Sequence, residues 1–412
     1  METTSQSKHP SLIGGVCIIA SICIGAGMLG LPTVGAGAWT LWSLFTMFVT
    51  MLVMTLSGCL ILEVLQTYPY TSSFSTLTQD LLGTPMTWLN NIMVYFVGAI
   101  LLYAYISSAG QLLHQYLDIS VPYASIAFTA LFSYVVWHST FWVDRLSVLL
   151  MIIVIFTFAF SATQLAFHID VDHVVGIVSW QQSQYIWALF PIAVASFGYH
   201  HAVSSMRDYY RNERMAQYSL IGGTSIAFLC YAIWLVCVYG NLPQAAFHAV
   251  IEQGGNIDAL LEAVNQFIPH RYTTIFINSF STAALLSSFV GVGLGVFDFL
   301  ADMLHFDNSR RGRTKTWAAT FLPPLLCSLL LPFGFVSAIA LAAAAAAIWM
   351  CLIPALLVYK TRQKRHNPSP TYRVYGGNIT LLIVFVFGLG IIVINLLSVF
   401  NALPVFWSKP FS

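Results

Sequence analysis

Charged side chains are nearly missing from this chain. Asp, Glu, Lys and Arg make up 8% of its 412 residues, against about 25% in a soluble domain. No long charged stretch exists, so there is no room for a separate soluble module, and a membrane receptor that signals through one is disfavoured. Lysine is absent between Lys8 and Lys315. Cysteine is scarce: the seven residues form no Cys-x-x-Cys and all fall in apolar segments, so they read as small buried hydrophobes. His-Glu-x-x-His, Gly-x-Ser-x-Gly, a phosphate loop and paired mid-span carboxylates are also missing, which argues against an enzyme and against ATP-driven chemistry. Nothing calls for a cofactor, a resident metal, nucleic acid or an obligate protein partner.

What is present is apolar. Hydrophobic residues reach 58% and mean hydropathy is +0.79. The chain reads as an all-α integral membrane protein whose partner is the lipid bilayer. Charge-free runs cover 9–62, 81–117, 119–143, 146–169, 173–206, 215–251, 272–297, 316–359 and 374–408. A span needs about 20 apolar residues, so the first run and 316–359 hold two spans each and the others one. The expectation is eleven spans in one transmembrane domain, 1–412, with spans 1–5 over about 11–168, 6–10 over about 183–359 and span 11 over about 378–402. With the N-terminus inside, 14 of the 16 Lys and Arg lie on the inner side, and only Arg271 and Lys409 lie outside. The C-terminus is then outside. Met1–Pro10 is polar and does not read as a signal peptide.

Two spans are interrupted. Gly25-Ala26-Gly27-Met28-Leu29-Gly30-Leu31-Pro32 puts three glycines and a proline into a run free of charge from His9 to Leu62. Broken helix at membrane depth survives only where it is buried or lines a polar cavity. The stretch is either half of a substrate site or a kink for close packing. Ser196-Phe197-Gly198-Tyr199-His200-His201 is a second interruption, in span 6. Intramembrane histidines are functional candidates by default, though a lone one often packs quietly. Both breaks begin five-helix sets that start on opposite sides, as an inverted repeat with midplane binding requires. Helix N-termini suit a carboxylate and C-terminal carbonyls suit an ammonium or cation, and an amino acid carries both charges.

Other candidates are weaker. Glu63 is a functional or interfacial carboxylate near the inner end of span 2. Tyr105 and Ser108 share one face of span 3. Ser287 and Ser288 precede Gly291, Gly293 and Gly295 in span 8. Asp298 and Asp302, four apart, are expected to pair with inner arginines or, more sharply, to relay protons. His168, Asp170, Asp172 and His173 hold metal-ligand chemistry but read as a solvated outer loop. Asn256 is expected to cap an outer helix striped by Ile257, Leu260, Leu261 and Val264. Ala342–Ala347 reads as a packing seam.

These blocks, in order, resemble the bacterial aromatic amino acid permeases of the hydroxy and aromatic amino acid permease family. The likeness runs through Ile24–Leu29 with Pro32, Leu62–Val64 with Gln66, Ala104–Ser107, Ser196–His200, Ser288–Val292, Phe297–Asp298, Leu300–Asp302, Phe321–Leu325, Lys364–Pro368 and Tyr372–Val374 with Gly376 and Gly377. The resemblance implies a leucine-transporter-type fold, with broken spans 1 and 6 and one helix beyond the repeat. It implies proton-coupled import of an aromatic L-amino acid, tyrosine first and tryptophan next, across the bacterial inner membrane. By the same resemblance, the substrate's charged groups meet Gly25, Ala26, Gly27, Met28 and Leu29 and Ser196, Phe197, Gly198, Tyr199 and His200. Its ring lies near Tyr105, Phe197 and Phe289. One departure matters: some proton-coupled relatives carry a Lys in span 5, where this chain has Ile152-Ile153-Val154-Ile155. Glu63, His200, His201 and Asp298 remain as proton carriers. A sodium ion held by span 1 carbonyls with Ser287 or Ser288 is the alternative, as is exchange of another neutral amino acid.

Overall fold

The computed structural model describes residues 11–70, 72, 74–176, 179–268, 271–331, 335–364, 372–400, 402–404 and 406. Lys8, Arg365–Pro368 and Lys409, used above, lie outside them. The described chain is helical without strands. It runs α1 (Leu12–Cys23), α2 (Leu31–Gly35), α3 (Trp39–Leu65), α4 (Phe74–Leu82), α5 (Thr84–Leu117), α6 (Val121–His138), α7 (Thr140–Ala166), α8 (Val171–Val175), α9 (Ile186–Ser196) and α10 (Val203–Tyr210). It continues with α11 (Glu213–Asn241), α12 (Phe247–Glu252), α13 (Ile257–Phe267), α14 (Arg271–Met303), α15 (Arg310–Leu330), α16 (Phe335–Ala347), α17 (Ile353–Lys364) and α18 (Gly377–Val399).

Among the described residues, eight helical segments are long and apolar enough to cross a membrane, and the bent pair α1–α2 makes a ninth. α6 and α15 stand where the fourth and ninth expected spans would be but fall short of that measure. α6 is diluted by Pro122, Tyr123, Ser125, Ser133, Tyr134 and His138, and α15 starts with Arg310, Arg311, Arg313 and Lys315. Apolar side chains face outward as well as inward. Ile152 and Ile155 of α7 are each 61% exposed, and Leu382 and Val386 of α18 are exposed too, as lipid-facing surfaces require. Val154 in that stretch of α7 is buried and Ile153 packs partly against the core. Inside, Thr46, Thr50 and Thr157 return their hydroxyls to carbonyls of their own helices, which satisfies them without water. The Ala342–Ala347 seam lets α16 lie close to α5 and α9.

The outer helix α13 buries its stripe of Ile257, Leu260, Leu261 and Val264. Its cap is not the expected one. The Asn256 side chain makes no bond to the helix amides; its own amide donates to the Gln253 carbonyl (2.9 Å). Burial raises the pKa of Asp258 above the usual carboxylate range. The folded state therefore holds this proton more tightly than the unfolded state. Stability from this group is full at acid pH and falls as pH rises through the raised pKa. Asp258→Asn, which needs no proton, should raise the thermal midpoint at neutral pH and leave it near the parent value in acid. Scanning unfolding at the two pH values checks this; equal shifts at both would contradict it.

Two further expectations need correcting. Among the described residues Asp298 and Asp302 form no ion pair within 4 Å. Arg313 instead donates to the carbonyls of Trp137 (2.8 Å) and Val136 (2.9 Å), which lack helical partners at the end of α6. Cys17 and Cys327 are exposed, while the other five cysteines are buried or partly so.

Candidate functional site

α1 stops at Cys23 because glycine follows at positions 25, 27 and 30, and each removes helix propensity. Gly25 is extended, Ala26–Gly30 form a 3-10 turn, and the two halves of the span meet at 49°. The freed amide of Ala26 donates to Ser288 Oγ of α14 (3.0 Å). A Cβ on Gly25 would come within 2.5 Å of that same oxygen, so only glycine lets the chain approach α14 this closely. The Tyr105 hydroxyl of α5 lies beside the Ser288 side chain.

α9 ends at Ser196, and the helix resumes through a 3-10 turn at His200–Ala202 into α10. The two breaks face each other: a Cβ on Gly27 would lie 3.2 Å from Ser196 Oγ and 3.7 Å from its Cα. One side chain ties them together. The Tyr231 hydroxyl of α11 shares its proton between the carbonyl of Cys23 (2.6 Å), which ends α1, and that of Ser196 (2.7 Å), which ends α9. Two carbonyl ends thus converge at one buried place, with the freed Ala26 amide on the same break. That arrangement offers partial negative charge to a cation and partial positive charge to an anion.

The structure brings together Gly25, Ala26, Gly27, Ser196, Tyr105 and Ser288, with Met28 and Leu29 fully buried behind them. Other nominated residues are committed elsewhere. Phe289, one position on from Ser288, turns away and packs between Phe128 (4.9 Å) and Phe321 (5.6 Å). Phe197, by contrast, stays at the site, edge-on to Tyr231. Tyr199 reaches α3, where its hydroxyl donates to the Met54 carbonyl (3.0 Å) in space that a Cβ on Gly58 would fill. Gly198 lies against Met350. Ser287 returns its hydroxyl to the Ala284 carbonyl. Glu63 takes a two-pronged ion pair from Arg362 (2.8 and 3.0 Å) and the Val374 amide (2.8 Å). His201 and Asp298 are exposed. His200 is 3% exposed, with neither ring nitrogen bonded. A separate cavity of about 460 Å³ lies at the outer loop, lined by His168, Asp170, His173 and Asn241.

Tyr231 and Gly58 are the residues sequence reading missed. Each sits in an uninterrupted apolar run with no motif, so only the mid-span hydroxyl of Tyr231 hinted at a role. Tyr231→Phe should leave two buried carbonyls short of a donor. The expected cost is about 1–3 kcal/mol of stability, with uptake falling more than stability because both breaks lose their shared anchor. Melting and uptake measured on one preparation check this; unchanged uptake would remove the hydroxyl from the site.

The tryptophan/tyrosine permease family model matches residues 8–395. The tryptophan-specific transport protein of Haemophilus influenzae is 41% identical over 93% of this chain and 95% of its own length. The low affinity tryptophan permease of Escherichia coli is 36% identical over 98% and 100%, and the tyrosine permease of Enterobacter agglomerans 32% over 97% and 99%. A crystal structure of a manganese transporter from Eremococcus coleocola superposes with a TM-score of 0.66 at 12% identity, covering 98% of this chain and 89% of that one. At that identity the likeness concerns the fold alone.

Proposed function

The chain belongs to the tryptophan/tyrosine permease family and is a multi-pass membrane transporter, and from that premise we propose that it imports an aromatic amino acid, tryptophan ahead of tyrosine. Tryptophan comes first because, of the relatives named above, those named for tryptophan are the more similar. The observation that carries the reading is the meeting of the two breaks at Gly27 and Ser196 under Tyr231. The substrate's ammonium group meets the carbonyl ends of α1 and α9, and its carboxylate meets the amides that follow Gly25. The protein lies in the bacterial inner membrane with its N-terminus inside. It works as an eleven-span, leucine-transporter-type inverted repeat by alternating access.

The coupling ion in this reading is a proton. Glu63 is already occupied by Arg362, which leaves His200, His201 and Asp298 as carriers to test. One observation favours sodium as the second reading: Ser288 Oγ lies against the first break, close to where the α1 carbonyls end. Uptake of labelled tryptophan into proteoliposomes, under a proton or a sodium gradient imposed separately, distinguishes them. Accumulation should follow the proton gradient and be blocked by unlabelled tyrosine but not leucine. Accumulation blocked equally by leucine would overturn the substrate class, and dependence on sodium alone would overturn the ion.

A further inference from the structure

Buried polar atoms in a protein interior almost always have hydrogen-bond partners, and each exception calls for an explanation. His200 is such an exception at the edge of the site. It is 3% exposed, and both Nδ1 and Nε2 lack partners. Its ring is held in place by aromatic neighbours, stacked on Tyr199 (4.8 Å) and edge-on to Trp349 (6.1 Å). Trp349 is itself buried, with an unbonded Nε1, and lies in a π-helical turn, Ile348–Leu352, a distortion that often marks functional sites. His200 is four residues beyond Ser196, which touches the first break. Residues 197–199 are not helical, and four residues of chain reach at most about 14 Å, which bounds the distance from Ser196 to His200. Of the rings expected to receive the substrate, Phe289 is engaged by Phe128 and Phe321, while Phe197 stays against Tyr231.

We propose that His200 is the specificity residue for the substrate's side chain: its free ring nitrogen accepts the indole N–H of tryptophan or the phenol O–H of tyrosine. A neutral imidazole has one acceptor nitrogen. Phenylalanine fills the same space but brings no hydrogen to donate, and leaves that nitrogen buried and unpaired. A site built around such a bond rejects the analogue that lacks it far more strongly than an apolar pocket rejects a change of size. The inference rests on the proposed aromatic substrate and deepens it. It also removes His200 from the list of proton carriers, since a doubly protonated ring has no acceptor to offer.

The test is uptake into proteoliposomes of tryptophan, 1-methyltryptophan (whose indole nitrogen carries methyl in place of hydrogen) and phenylalanine, by wild type, His200→Gln and His200→Leu. Wild type should favour tryptophan over both analogues by about 10- to 100-fold in kcat/KM. His200→Gln keeps a side-chain acceptor and should keep most of that preference and the same response to a proton gradient. His200→Leu should bring the three substrates within about threefold of one another, mainly by losing tryptophan. Wild type that takes up tryptophan but does not discriminate against either analogue would overturn the proposal whether or not the variants fold. So would folded His200→Leu that still discriminates. Wild type that takes up none of the three would instead sink the aromatic-import reading itself.

Discussion

Gly27→Val should abolish uptake while leaving the protein folded and inserted. The backbone at Gly27 already lies so close to α9 that a single added carbon would sit 3.2 Å from Ser196 Oγ. Valine adds two more carbons at that point. Its branched side chain has few rotamers with which to avoid the contact. The cost falls on the geometry of the two breaks rather than on the packed helices around them. A displacement of about 1 Å between positioned groups commonly costs about 100-fold in rate, and a loss of at least that size is expected here. Gly27→Ala should be milder, because the Ser196 hydroxyl can rotate and its Cα is 3.7 Å away. Uptake normalised to inserted protein checks both. Normal transport by Gly27→Val would mean that the breaks meet for packing alone.

The second large effect concerns stability. Glu63 of α3 is 4% exposed and takes both prongs of the Arg362 guanidinium from α17, together with the Val374 amide. Gln66, one turn on, clasps Tyr372 from both sides, donating to its carbonyl (2.6 Å) and accepting its amide (3.1 Å). The inner ends of α3 and α17 and the strand of chain before α18 are locked as a unit. Removing one partner of a buried ion pair leaves a charge without compensation and costs about 3–5 kcal/mol. Glu63→Ala and Arg362→Ala should each lower the melting temperature of detergent-purified protein sharply. The double variant should lose less than the sum, because neither charge is then stranded. A Glu63→Ala protein with an unchanged melting temperature but uptake no longer driven by protons would reverse this assignment and make Glu63 a carrier.

Much of the architecture was legible because membrane physics leaves few options. Lipid forbids loose backbone groups, so charge-free runs become helices, and glycine clusters inside them become breaks. That reasoning found α3, α5, α7, α11, α14 and α18 and both interruptions. It found the amphipathic α13, where Ile257, Leu260, Leu261 and Val264 share one face. It was less successful with polar groups. Nothing in the sequence near Asn256 says that its side chain will turn back to the Gln253 carbonyl instead of accepting the helix amides. Asp298 and Asp302 were expected to pair with inner arginines, but Arg313 serves carbonyls at the end of α6, a partner present at every helix end and so invisible as a motif. The site was half legible. The breaks announce themselves through composition, but Tyr231 does not, since its role depends on two carbonyls brought together from 208 and 35 residues away. The aromatic residues were the hardest to place. Ser288 and Phe289 are adjacent, yet one faces the first break and the other a separate ring cluster, and only the rotation of α14 decides which.

The central claim is that the two breaks form one amino-acid site, and an experimental structure of the protein with tryptophan bound tests it most directly. The expected result is ligand density between Gly25–Leu29 and Ser196–His200, with the carboxylate and ammonium groups on backbone and the indole N–H directed at His200. Density confined to the outer cavity beside His168 and His173, with the two breaks packed against each other and untouched, would contradict it.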